Sequence, residues 1–239
     1  MIQKIEILYQ DTDYLIVNKP AGILTIPDRF DSNIINVTTE LKKQFASIFT
    51  VHRIDRYTSG VLCFAKNEAA HKHLNAQFEH HTLQKTYLAL VHGNAPDDGI
   101  IDFKIMEDPS KPGRMEASEK HGKPALTKFK TLQQFGNISL VEIYPETGRT
   151  HQIRVHFLAI GHPLLIDEMY GSAEPFLLSS VKRKYKLSKL QETENPLMQR
   201  LTLHASKIEF KHIVDEKTIS ITAPLPKDFA AVIKQLEKL

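Results

Sequence analysis

Apolar and polar positions along the chain change period several times, and each change predicts an element. Ile5–Tyr9 and Tyr14–Asn18 read as two short strands, with Gln10-Asp11-Thr12-Asp13 as the turn between them. Lys19-Pro20-Ala21-Gly22 ends the second, since proline cannot donate to a ladder and glycine permits a bend. Ile34, Val37, Leu41 and Phe45 stand at helical spacing and predict a helix over 33–46, with Ser32 or Asn33 as its N-cap. The run Val61-Leu62-Cys63-Phe64-Ala65-Lys66 predicts a short buried strand. A helix over about 67–80 follows, with Ala70, Leu74 and Phe78 along one face.

Lys85–Val91 predicts a strand in which Tyr87, Ala89 and Val91 share a face opposite Thr86, Leu88 and Leu90. Residues 96–124, rich in Asp, Pro, Gly and Lys, read as a mobile, partly basic excursion with short strands at best. Ala125–Leu132 and Ile138–Tyr144 form a hairpin pattern around Phe135-Gly136-Asn137. The turn Pro145-Glu146-Thr147-Gly148 leads into a helix over Thr150–Ile160, with Ile153, Phe157 and Ile160 as its buried stripe and Thr150 and Arg154 together on another face. Gly161 and Pro163 end it. Residues 172–199 read as a polar surface helix or loop. In Leu201–Phe210 the apolar phase shifts, which predicts a bulge near Ser206-Lys207. Ile219 and Ile221 mark a partner strand, and a last helix capped by Asp228 turns Phe229, Ile233 and Leu236 inward. With no internal repeat or linker, these elements predict one α+β body in which strands predominate.

Composition changes this picture little. The 239 residues are 41% hydrophobic and 25% charged, ordinary for a globular chain that needs neither disulfide nor metal to hold together. One cysteine, Cys63, sits inside an apolar strand pattern and can form no internal bridge, which suits a reducing cytoplasm. The N-terminus lacks an apolar leader and no run reaches membrane-spanning length, so a soluble cytoplasmic protein is expected. A net charge of +3 permits a polyanionic partner without demanding one. The cations cluster, however, at Lys111, Arg114, Lys120 and Lys123 and again at Lys182, Arg183, Lys184, Lys186 and Lys189. His71, His73, His80 and His81 fall on several sides of their helix and supply no metal-ligand spacing.

The densest chemistry lies in Val51-His52-Arg53-Ile54-Asp55-Arg56-Tyr57-Thr58-Ser59-Gly60. If 51–55 is extended, Arg53 and Asp55 share one face and His52 and Ile54 the other. An opposite charge within a few ångströms favours the ionised carboxylate, which makes Asp55 a candidate nucleophile or base rather than a general acid. On local chemistry alone the same pattern also fits a surface salt bridge.

Five ordered blocks resolve that ambiguity: Tyr14 through Gly22; His52-Arg53-Ile54-Asp55 with Thr58-Ser59-Gly60 and Ala65-Lys66; Gln84 through Val91; Thr147 through His156, continuing through Gly161-His162-Pro163-Leu164 to Asp167 and Tyr170-Gly171; and Leu203-His204-Ala205. Together they resemble the RluA family of RNA pseudouridine synthases, with Ile54 where the family usually has Leu. The closest resemblance is to compact members without the small N-terminal S4 RNA-binding domain. It implies the pseudouridine synthase fold over 1–239 as a single catalytic domain: α+β, with a mixed, mostly antiparallel sheet in two lobes around a central catalytic cleft.

The resemblance also implies an isomerase that converts uridines to pseudouridine in large-subunit rRNA, tRNA or both. The N1–C1′ bond breaks, the uracil rotates, and the base is rejoined through C5. No metal or nucleotide cofactor is needed, and no phosphate-binding loop is present in the sequence. The resemblance makes Asp55 the essential acid, attacking C1′ or taking a proton from C2′; Arg154 its paired arginine; and Tyr87 the residue stacked on the target uracil. Arg53 is implied to fill the place of the flipped base, and Arg149 and Lys66 to contact phosphate. A monomer is expected. Two rivals are a non-catalytic RNA-binding protein on the same fold and a carboxylate glycosidase, for which no second acid motif is present.

Overall fold

The structure, a computed structural model, describes residues 5–31, 33–182, 185–187 and 192–239. In chain order its strands and helices begin β1 (Glu6–Gln10), β2 (Tyr14–Lys19), α1 (Val37–Lys42), β3 (Phe49–Thr50), β4 (Ser59–Ala65), α2 (Glu68–Glu79), β5 (Gln84–His92) and β6 (Asp98–Ile101). They continue β7 (Lys104–Glu107), β8 (Met115–Ser118), β9 (Thr127–Phe135), β10 (Ile138–Pro145), α3 (Gln152–Ala159), β11 (Leu203–Lys211), β12 (Thr218–Thr222) and α4 (Lys227–Leu236). Two compact units result. One is Met1–Tyr87 with Leu203–Pro224, the other Leu88–Thr202 with Leu225–Leu239, so β5 starts in the first and ends in the second.

In the first unit the strand order is β1-β2-β4-β11, with β3 on β4 and β12 on β11. The start of β5 lies against β11, where Ser206 Oγ donates to the Thr86 carbonyl at 3.0 Å. This sheet is covered on both faces. Leu15, Val17, Leu62 and Phe64 pack with Val37 and Leu41 of α1, while Tyr14, Ile16, Val61 and Cys63 pack with Ala70 and Leu74 of α2. Double burial explains why β2 and β4 read as continuous apolar runs rather than alternating ones. The pair β4–β11 is parallel, in contrast to β1–β2 and β2–β4, and it sets Gly60 opposite Ala205. A Cβ at Gly60 would lie 2.1 Å from the Ala205 carbonyl oxygen, and its φ of +114° is one that only glycine adopts readily.

In the second unit β9 is antiparallel to β10 and to β6. Leu90, Phe135 and Leu140 pack with Phe229, Val232 and Leu236 of α4. The β7–β8 hairpin brings Ile105 against Val155 and Tyr170.

Four expectations need correction. Helix α1 begins at Val37, because Asn36 accepts the Thr39 N–H at 2.8 Å and is the cap; Ile34 lies outside it. The excursion 96–124 holds the expected short strands, β6, β7 and β8, but buried Ile101 and Ile105 tie it to the core. Strand β11 has a continuous ladder with β12 from Lys207 to Lys211, and its apolar phase shifts because Leu203–Ser206 is buried on both faces. At α4 the N-cap is Pro226; Asp228 sits in the first turn and binds Arg200 through two hydrogen bonds of 2.7 and 2.8 Å. Of the second basic cluster, Arg183, Lys184 and Lys189 lie outside the described residues, as does Ser32.

Candidate active site

Asp55 sits on a loop fixed from below by its neighbours' backbone. Thr25 Oγ1 donates to the Ile54 carbonyl at 2.9 Å and accepts the Ile54 N–H at 3.3 Å. Beyond Asp55, the Arg56 carbonyl accepts from the Gly22 N–H at 2.8 Å and from Lys19 Nζ at 2.9 Å. That ammonium is fully buried and also donates to the carbonyls of Pro20 and Ile23, at 3.1 and 2.6 Å. A buried cation is tolerated only when its donors are satisfied. The Lys-Pro-Ala-Gly turn therefore works as a bracket for the loop. The loop closes when the Thr58 N–H donates to the Asp55 carbonyl at 3.1 Å. Downstream, Ser59 Oγ and His204 Nδ1 meet at 3.0 Å, both buried, which gives the Leu-His-Ala block a role in holding β4 to β11.

Alternation along β5 sets Lys85 and Tyr87 on one face. Burial, and after it the negative charge of Asp55, makes the Tyr87 phenol a weaker acid than usual. This links two of the expected catalytic residues, Asp55 and Tyr87, electrostatically. Burial also pushes the Lys85 ammonium down to about 8. His52 is held neutral: burial, then the charge of Lys85, pushes it down to about 3. Its Nε2 accepts the Cys63 N–H at 2.9 Å and its ring stacks on Phe78 with centroids 4.7 Å apart. His52 is thus a support for β4, not a proton carrier.

Helix α3 is buried almost all round, from Gln152 through Phe157, instead of along one stripe. Its polar side chains permit this because each has partners. The Gln152 amide nitrogen donates to the Leu126 carbonyl and to Thr127 Oγ1 at 3.0 and 2.9 Å; its oxygen accepts from Thr147 Oγ1 and the Arg149 N–H at 2.7 and 3.0 Å. His156 joins Thr127 Oγ1 at 2.9 Å and the Phe103 carbonyl at 3.0 Å, and burial lowers its basicity. Thr150 precedes the helix, so it does not share a helical face with Arg154.

Arg154 makes a bidentate pair with Asp167, Nε to Oδ2 at 2.7 Å and Nη2 to Oδ1 at 2.8 Å. The guanidinium carbon lies 4.8 Å from the Tyr170 ring centroid, and Arg114 of the β7–β8 connection lies 5.4 Å from the same ring. Tyr170 Oη accepts the Met115 N–H at 2.8 Å and meets His151 Nδ1 at 2.8 Å. His151 has φ +56°, a left-handed conformation uncommon for a residue with a side chain. Sequence reasoning quoted Asp167 and Tyr170 as motif letters and missed that they fix the arginine. Their signal was present, an acid and an aromatic after a helix-ending Gly-His-Pro, but not the geometry.

Arg53 is exposed. Lys66 turns its ammonium onto the Asp11 carbonyl, and Arg149 Nε donates to the Pro124 carbonyl at 2.9 Å. Both therefore do structural work. Among the described residues Asp11, Asp13 and His212 converge as potential metal ligands. His212 Nδ1 accepts the Val214 N–H at 3.1 Å, so its Nε2 carries the proton and donates to Asp11 at 3.1 Å. Asp11 takes a further bond from Tyr9 Oη at 2.6 Å, and Asp13 one from Asn67 at 2.7 Å. The trio is a hydrogen-bonded lock between two turns.

Fold alone does not fix an activity; comparison with known proteins places this fold, with its aspartate loop and arginine helix, among RNA-modifying isomerases. The family model for RNA pseudouridylate synthase matches residues 13–159. The chain is 34% identical to the dual-specificity RNA pseudouridine synthase RluA of Vibrio vulnificus (strain CMCP6), over 87% of this chain and 78% of that protein. It is also 34% identical to the ribosomal large subunit pseudouridine synthase D of Nitrosomonas europaea, over 98% of this chain and 66% of that protein. The solved structure of human RNA pseudouridylate synthase domain containing 1 superposes with a TM-score of 0.68 at 26% identity, covering 99% of this chain and 96% of that one. The chain belongs to the RNA pseudouridylate synthase family.

Proposed function

We propose that the chain acts as one catalytic domain that isomerises specific uridines to pseudouridine in large-subunit ribosomal RNA, transfer RNA or both. The names of its relatives support this range: one is a dual-specificity RNA pseudouridine synthase, another a ribosomal large subunit pseudouridine synthase. The observation that carries the mechanism is the bracketed loop that holds Asp55 close enough for its charge to strengthen the Tyr87 O–H. A carboxylate so placed, beside a ring able to stack on a base, suits attack at C1′ or proton removal at C2′ of a flipped nucleotide. Arg154, oriented by Asp167, is proposed to pair with Asp55 and hold it as a carboxylate. Arg53 is proposed to fill the gap left by the flipped base, with Arg149 and Lys66 near phosphates through donors beyond their structural bonds.

The reaction is an isomerisation and consumes no nucleotide or reductant, so a monomer working on RNA in the cytoplasm without a cofactor is the simplest agent. No helix among the described residues is long and apolar enough to cross a membrane. RNA carrying tritium at uracil C5 tests the proposal. The protein is expected to release label to water and Asp55→Ala to release none. RNA binding without release by the wild type would make the protein a binder only, and free uracil would make it a glycosidase.

A further inference from the structure

Among the described residues the most exposed large apolar side chain is Phe30, at 93%. A ring of this size is ordinarily drawn into a core or against a partner; here it stands in water on an ordered turn. The turn is ordered by its own acids. Asp28 Oδ1 accepts the N–H groups of Phe30 and Asp31 at 2.9 and 3.1 Å, and Asp31 Oδ1 accepts that of Asn33 at 2.9 Å. Those backbone bonds, and after them the charge of Arg56, hold the Asp28 carboxyl below its usual range. Three residues earlier, Thr25 Oγ1 bonds both the carbonyl and the N–H of Ile54, next to Asp55, so the turn springs from the segment that braces the Asp55 loop.

Arg56 ties the start of this segment, at Gly22, to the Asp55 loop. It exchanges two hydrogen bonds with Gly22, N–H to carbonyl at 2.8 Å and Nε to carbonyl at 3.0 Å. Its guanidinium lies 5.5 Å from the centroid of Tyr57, itself 49% exposed. Arg29 and Arg53 are also exposed. Two exposed aromatic rings with three arginines among them, on segments joined to the loop of Asp55, have the make-up of a single-strand nucleic-acid surface, where bases stack on rings and cations follow the phosphates. A protein-docking patch has a different make-up, an apolar centre inside a polar rim.

We infer that Phe30 is the stacking platform for an unpaired nucleobase next to the target uridine, with Arg29 and Arg56 beside the adjoining phosphates. This rests on the RNA reading above and extends it to a second base subsite, outside the catalytic loop. Flipping a uridine leaves its neighbours without a stacking partner, and a ring presented on a pre-ordered turn replaces that partner with little ordering cost.

The chain contains no tryptophan, so Phe30→Trp introduces a single fluorophore at the proposed platform. Its emission is expected to be quenched by a short oligouridylate and by bulk transfer RNA. Val214→Trp, at an apolar site 76% exposed beside Asp215 and Glu216, is the control and should stay unquenched. In C5-tritium release from bulk RNA, Phe30→Ala should raise KM roughly 5- to 150-fold, the range for losing one base–aromatic stack. The loss should fall on KM, and Phe30→Tyr should restore it. An unquenched Phe30→Trp, a wild-type KM in Phe30→Ala, or an emission change driven by protein concentration without RNA would overturn the inference. Failure of the isomerase reading is distinct: the wild type would then release no tritium, while the oligouridylate still quenched the tryptophan.

Discussion

Burial and partners decide what each polar residue of the five sequence blocks does. His52 stands three residues before Asp55, and in sequence it looks as reactive as either arginine. In the fold it is a neutral acceptor for the Cys63 N–H, pushed down to about 3. Lys85 follows the same rule, a cation that burial makes easier to deprotonate. Its folded value of about 8 lies below the unfolded 10.5, so between them the unfolded chain binds the extra proton. Stability contributed by this residue therefore rises with pH across that window and is lowest below it. Lys85→Met should remove the slope: urea midpoints at either end of the window should differ less in the variant than in the wild type. Asp55 was legible as a candidate from its two flanking arginines, but the bracket of Lys19, Gly22 and Thr25 that holds its loop was not. Those contacts join positions about thirty residues apart, and no local pattern encodes them.

Elements built on periodicity were readable wherever one face met solvent. Helix α2 and the β9–β10 hairpin fall where the pattern puts them. Helix α3 misled because its polar residues are buried and satisfied, so a stripe argument had nothing to contrast. Its Arg154 depends on Asp167, 1% exposed at the side chain. Removing one member of a buried ion pair costs about 3–5 kcal/mol, so Asp167→Asn should lower the urea midpoint by a corresponding amount. On the proposed mechanism it should also reduce tritium release by the protein that remains folded. At β4, Gly60→Ala meets the Ala205 backbone and forces an unfavourable φ. The backbone strain alone is about 1–3 kcal/mol, and the clash adds to it. Equilibrium unfolding of that variant should show a loss at least this large.

For the molecule as a whole, chain order and spatial order diverge. Leu203–Pro224 returns to the first unit and Leu225–Leu239 to the second. The last helix completes a core far from it in sequence: Phe229 and Val232 are fully buried and Leu236 nearly so, against Leu90, Phe135 and Leu140. Each such side chain is worth about 1.5–3 kcal/mol, and together they approach the 5–15 kcal/mol that stabilises a typical domain. A chain truncated after Pro224 is therefore expected to lose the cooperative thermal transition of the second unit and to bind a hydrophobic dye.

By itself the sequence determined the class of fold and the nature of most strands and helices, and it nominated Asp55 as the candidate carboxylate. Period and turn chemistry are local properties, and the five ordered blocks are long enough to single out a family. Only the tertiary structure decided that Asp167 and Tyr170 hold Arg154, that His52, Lys66 and Arg149 do structural work, and that a doubly buried β11 needs no bulge. Each of those outcomes depends on which distant group supplies a hydrogen bond or excludes water, and a linear pattern carries no record of that.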